Sequence, residues 1–143
     1  MHVVYEWDGG VRAFMGQRQI SGCFNQNSDF IMGTTGQGNI EARGPFITGA
    51  KAWKFSGEKN DMYQQEHDGL FASIRSGKPI NDGHWEAQST LVALMGRMAA
   101  YTGQEITWEM MQKSQERLAP EKLEWDMKLP IAPMAMPGRT KFI

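Results

Sequence analysis

Residues 81–103 read NDGHWEAQSTLVALMGRMAAYTG, and their spacing decides what kind of fold the chain can adopt. Ala87, Leu91, Leu94, Met98 and Tyr101 recur at alternating steps of four and three, which places them on one face of a helix about six turns long. Val92 and Met95 widen that face. Ala93, Gly96, Ala99 and Ala100 are small enough to let another backbone come close, as a helix lying on a sheet requires. Asn81 or Asp82 caps the start, and Gly103 suits the left-handed position after the last turn. The spacing predicts a core helix.

Upstream of it, a first helix is expected from Asn60 or Asp61 to Ser76. Tyr63, His67, Leu70, Phe71 and Ile74 share its apolar face, and Gly77 and Pro79 stop it. That face, too, is expected to cover the core. Downstream, Thr107 is a plausible N-cap of a third helix running to about Leu118, with Ile106 and Met111 at the staple positions and Glu109 favouring the positive end of the dipole. Before the helices lie alternating patterns. Val3, Tyr5 and Trp7 alternate with His2, Val4 and Glu6, and Asp8-Gly9-Gly10 turns the chain into a second strand from Val11 to about Ile20. Ser21 to Asp29 reads as a loop. Phe30–Gly33 and Gly38–Arg43 form a second hairpin around Thr34-Thr35-Gly36-Gln37, and Ile47–Phe55 a fifth strand.

Strands at about 2–55 followed by helices at about 60–118, without alternation, point to an α+β domain: an antiparallel sheet with helices packed on one face. From 120 to 143 the prolines at 130, 133 and 137 forbid a regular helix or central strand. Trp125, Leu129, Ile131, Met134, Met136 and Phe142 are too apolar for a free tail. An extended strap lying on the domain or on a neighbouring subunit is expected.

The chain of 143 residues has the length of a single domain and carries a net charge of −1, which gives no electrostatic reason to expect nucleic acid or anionic membrane as partners. It has no apolar run of the roughly 20 residues a membrane span needs. The first residues lack a signal-peptide pattern, so any export signal is expected upstream of Met1 and the default compartment is the cytoplasm. Cys23 is a lone thiol and cannot form an internal disulfide.

Chemistry-bearing patterns are sparse. Gly36-Gln37-Gly38-Asn39-Ile40-Glu41 begins like a dinucleotide-binding GxGxxG, but its third glycine is missing and it falls in a hairpin. Glu66-His67-Asp68 are adjacent on a helix and point about 100° apart, so they cannot close on one metal ion. His67 is expected on the buried side, hydrogen-bonded. Arg12 and Arg18, at an even spacing, share a sheet face if no bulge intervenes and are candidates for holding an anionic or polyhydroxyl ligand, as is His84 in the first turn of the long helix. No catalytic, cofactor-binding or metal-ligating residue is expected.

The runs Tyr63-Gln64-Gln65-Glu66-His67-Asp68, Ile74-Arg75-Ser76-Gly77-Lys78-Pro79-Ile80-Asn81-Asp82, Ser89-Thr90, Met95-Gly96-Arg97-Met98-Ala99-Ala100-Tyr101-Thr102-Gly103 and Ile106-Thr107-Trp108 together resemble the C-terminal region of Gfo/Idh/MocA oxidoreductases. Met136-Pro137-Gly138-Arg139-Thr140-Lys141-Phe142-Ile143 resembles the end of a bacterial branch of that family. The similarity spans Gly22 to Ile143.

It implies the C-terminal substrate-binding and oligomerisation domain of an NAD(P)-dependent dehydrogenase acting on a sugar or cyclitol hydroxyl. Such a domain assembles as a homo-oligomer through its open sheet face. The NAD(P)-binding Rossmann domain, with the glycine-rich fingerprint, the Glu-Lys-Pro motif and the Asp/His catalytic pair, is expected in cis upstream of Met1; no D-x-x-x-H occurs here. The fragment is then inactive alone. The alternative is a non-catalytic assembly or carbohydrate-binding module built on the same fold.

Overall fold

The computed structural model describes residues 1–41 and 44–143. Its strands are β1 (His2–Glu6), β2 (Arg12–Gly16), β3 (Asp29–Met32), β4 (Gly36–Ile40), β5 (Phe46–Gly49) and β6 (Trp53–Lys54), and its helices are α1 (Met62–Ser76), α2 (Gly83–Thr102) and α3 (Trp108–Lys113). All strand pairings are antiparallel, so the chain is α+β. The strands divide into a two-stranded sheet, β1-β2, and a four-stranded sheet, β3-β4-β5-β6, where one sheet was expected. The chain correspondingly separates into two compact units, one of residues 1–18 with 81–143, the other of residues 19–80.

In the first unit, Val3 pairs with Met15 and Tyr5 with Ala13, and this face of the hairpin meets α2. The ladder runs one pair past the strands, Gln17 and Met1 exchanging backbone bonds of 2.9 and 2.8 Å. The second strand therefore ends well short of the expected Ile20. A turn of 3₁₀ helix over Asp8–Gly10 joins the two strands, with Gly9 and Gly10 both at positive φ. On the other side of α2, Met98, Ile106 and Met111 are buried together, flanked by Leu91, Leu94, Ala99 and Phe142. Ile106 and Met111 are the staple pair read from the sequence, and Thr107 Oγ1 accepts from the Met110 N–H at 3.2 Å as its cap.

α3 stops at Lys113, five residues before the expected end. The Ser114 hydroxyl and the Gln115 N–H both turn to the carbonyl of Ile143, at 2.6 and 3.2 Å, which draws the backbone out of the helix. Gly103 at φ 70° closes α2, and fully buried Thr102 donates its hydroxyl to the Met98 carbonyl at 2.7 Å. The Thr102 carbonyl in turn accepts from Gly138 N–H at 2.7 Å. The last residues of the chain are thereby fastened to the end of α2.

In the second unit the second hairpin turns at Gly33–Gly36, one residue earlier than read from the sequence, with Gly33 N–H bonded to the Gly36 carbonyl at 2.9 Å. The strand expected to reach Arg43 ends at Ile40; Ala42 and Arg43 lie outside the described residues. The expected fifth strand is two strands. Gly49, at φ 120°, begins a turn through Ala50 and Lys51, and β6 folds back so that Ile47 faces Trp53. Only glycine fits there, because a Cβ would stand 2.6 Å from Thr35 O.

α1 is capped as expected, Asp61 Oδ1 accepting from the N–H groups of Tyr63 and Gln64 at 2.9 and 3.2 Å and Gly77 closing at φ 66°. Its apolar face is not covered: Tyr63, Leu70, Phe71 and Ile74 are about half exposed or more. This corrects the expectation of a core-covering helix. His67 is likewise exposed, not buried, although its Nδ1 does pair with the Tyr63 carbonyl at 2.8 Å. The spacing fixes which residues share a face; it does not supply the surface that covers them.

Candidate functional site

A cleft of about 1080 Å³ lies in the first unit, bordered by β1, the C-terminal half of α2 and the 103–108 turn into α3. Tyr5 is part of its lining. Its hydroxyl donates to the Val92 carbonyl of α2 at 3.2 Å, and its ring stacks on Trp7 with centroids 6.0 Å apart. The approach is possible because residue 96 is glycine: a Cβ there would lie 2.0 Å from the Tyr5 hydroxyl oxygen. The small residues of α2 thus admit an aromatic ring, where the sequence suggested a backbone. Met95, Ala99, Ile106 and Trp108 add apolar wall, and Glu6, Arg12, Gln104 and Glu105 add polar groups.

Arg12 is the one sequence candidate in this lining. Its Nε sits 2.6 Å from Glu6 Oε1, its direct cross-strand neighbour, and both side chains are well exposed. Such a pair contributes little to stability, and its charges stay within reach of a ligand. Arg18 lies beyond the last ladder pair, so the shared sheet face expected for Arg12 and Arg18 does not extend to it. His84 stands in the first turn of α2 with its ring edge to Trp85 at 6.4 Å, and it does not line the cleft. Of the three candidates, the cleft lining holds Arg12. Tyr5, Trp7 and Trp108 were missed as cleft residues because aromatics at strand and helix spacing read first as core.

A second, shallow depression of about 370 Å³ lies on the four-stranded sheet. Ile31, Gly38, Ile47 and Trp53 face one another across all four strands, and Ile31, Ile47 and Trp53 are roughly half exposed. Gly36 and Gly38 leave the sheet low at this point; at residue 36 a Cβ would meet the Thr48 carbonyl at 2.5 Å. The Gly36-Gln37-Gly38 segment is part of β4, paired on both sides. A dinucleotide loop needs a strand opening into a helix N-terminus, so these residues do not fit the pyrophosphate of NAD(P). Among the described residues no group of three or more His, Cys, Asp or Glu side chains is placed to hold a metal ion. No described helix is long and apolar enough to cross a membrane.

Comparison of the chain with protein-family models, curated proteins and solved structures gives no match in any of the three.

Proposed function

We propose that this chain is the C-terminal substrate-binding and assembly domain of a Gfo/Idh/MocA-type NAD(P)-dependent oxidoreductase, its enzyme acting on a sugar or cyclitol hydroxyl. The observation that carries this reading is the open apolar row Ile31–Gly38–Ile47–Trp53 across the four-stranded sheet. A sheet face of this kind is stable only when another layer covers it. In the proposed enzyme that layer is a second copy of the chain or the nucleotide-binding domain in cis.

The amount of exposed surface supports the same reading. The chain leaves 13393 Å² accessible. A compact body of 16.1 kDa exposes about 7,400 Å², and even two separate compact bodies sharing that mass expose only about 9,000 Å². In the proposed assembly a partner covers this excess.

In the proposed enzyme the cofactor carries the hydride chemistry, and this chain's part is to shape the pocket and hold the assembly. Calorimetry tests the division of labour. The purified chain is expected to show no heat of binding with NAD(H) at micromolar concentration, and tight binding overturns the assignment of the cofactor to another domain. The coding sequence upstream of Met1 separates this reading from that of a non-catalytic assembly or carbohydrate-binding module. A strand leading into GxGxxG and a later Glu-Lys-Pro supports the enzyme; an immediate stop codon supports the module.

A further inference from the structure

The segment between α3 and the chain end is anchored at both ends and uncovered in the middle. At its start, Glu116 pairs with Arg97 at 3.1 Å, and Ser114 and Gln115 hold the Ile143 carbonyl. At its end, Gly138 N–H is bonded to Thr102 O, and Phe142 packs against the buried Met98 cluster. Between these anchors Leu123, Trp125, Leu129, Ile131 and Met134 stand 65–104% exposed. A loop of this length is uncommon in a compact domain, and its large apolar side chains set it apart from a polar linker. Pro130 and Pro133 fix φ and limit the entropy lost when such a loop docks.

The same unit carries the cleft between β1 and α2, whose lining includes no residue of this arm. At about 1080 Å³, with Tyr5, Trp7, Met95, Ala99 and Trp108 in its lining, it has room for several large apolar side chains. We propose that the arm of residues 117–136 is a dimerisation arm that docks, reciprocally, in the β1–α2 cleft of a second copy. Donor and acceptor on one chain are what a two-fold, isologous pairing requires. The area suffices. One tryptophan and four aliphatic side chains bury on the order of 600 Å² per arm, so two arms with the surfaces they cover bury about 2,400 Å², more than the roughly 1,600 Å² of a standard interface. This contact is separate from the sheet face invoked above and stands or falls without it.

The test compares the full chain with its Trp125→Asp/Ile131→Asp variant by light scattering. Both positions are fully exposed, so the variant folds. The wild type is expected as a dimer or a multiple of it and the variant at half that mass. In parallel, Ile131→Cys chains are mixed with Glu105→Cys chains, both carrying Cys23→Ser, and treated with a bismaleimide; the expected product joins one chain of each kind. A variant with undiminished mass overturns the arm and leaves the sheet-face reading standing. A wild type that stays monomeric, or mixed chains that give no cross-linked pair, also overturns the proposal, giving the cleft to a foreign partner or to the arm of the same chain.

Discussion

Met98→Ala is expected to lower the stability of the first unit by about 2–4 kcal/mol, read as a fall in the midpoint of urea unfolding at unchanged slope. Met98 is 3% exposed and lies between α2 and α3, against Ile106 and Met111, the other two buried apolar side chains of this cluster. With so few fully buried members, each carries a large share of the packing. The cavity left by alanine cannot close easily. Ile106 and Met111 are pinned by the capped turn of α3, and Phe142 by the hydrogen bonds of the adjoining chain end to Ser114 and Gln115. Met134→Ala serves as the control: the side chain is 90% exposed, so its removal changes stability by less than about 0.5 kcal/mol.

The second large effect is a reversal of sign between two identical substitutions. Gly69→Ala, in the interior of α1, places its methyl where no atom lies within 4 Å. Alanine gains about 0.5–1 kcal/mol there, because it restricts the unfolded chain and favours the helix. Gly96→Ala gains the same helix term and loses more. Its Cβ would stand 2.0 Å from the Tyr5 hydroxyl oxygen and 2.9 Å from Cζ, so the ring must leave. Its departure breaks the bond to the Val92 carbonyl and lifts β1 from α2. Overpacking of this kind costs about 1–3 kcal/mol. Denaturant titration of both variants checks the pair; restoring Gly96→Ala with Tyr5→Phe, which removes the crowded hydroxyl, is expected to recover part of the loss.

The parts of this fold legible in the sequence are those fixed by local chemistry. Asp61, Thr107, Gly77 and Gly103 act at helix ends as their side chains or their freedom of φ dictate, and the Ile106–Met111 staple is buried as its spacing implies. What the sequence hid depends on distant partners. Alternation through Ile47–Phe55 masks the turn, although Gly49 within the pattern is the signal of a break. The end of α3 is set by a carbonyl 29 residues away, which no local reading contains. Of the candidate site, Arg12 was singled out as a ligand-holding candidate on a sheet face and lines the cleft; Tyr5 was not singled out, because its role comes from the gap at Gly96 and from the Val92 carbonyl, 87 residues away on α2.

The uncovered face of α1, the open row across β3 to β6 and the bare arm after α3 all describe one condition: apolar faces specified by the sequence and left exposed among the described residues. In the proposed assembly this surface is covered by association. Light scattering of the purified full chain across micromolar concentrations measures this directly. The account predicts a mass of at least two chains, persisting on dilution to about 1 μM as expected of an interface of standard size or larger; a particle of 16.1 kDa at every concentration contradicts it.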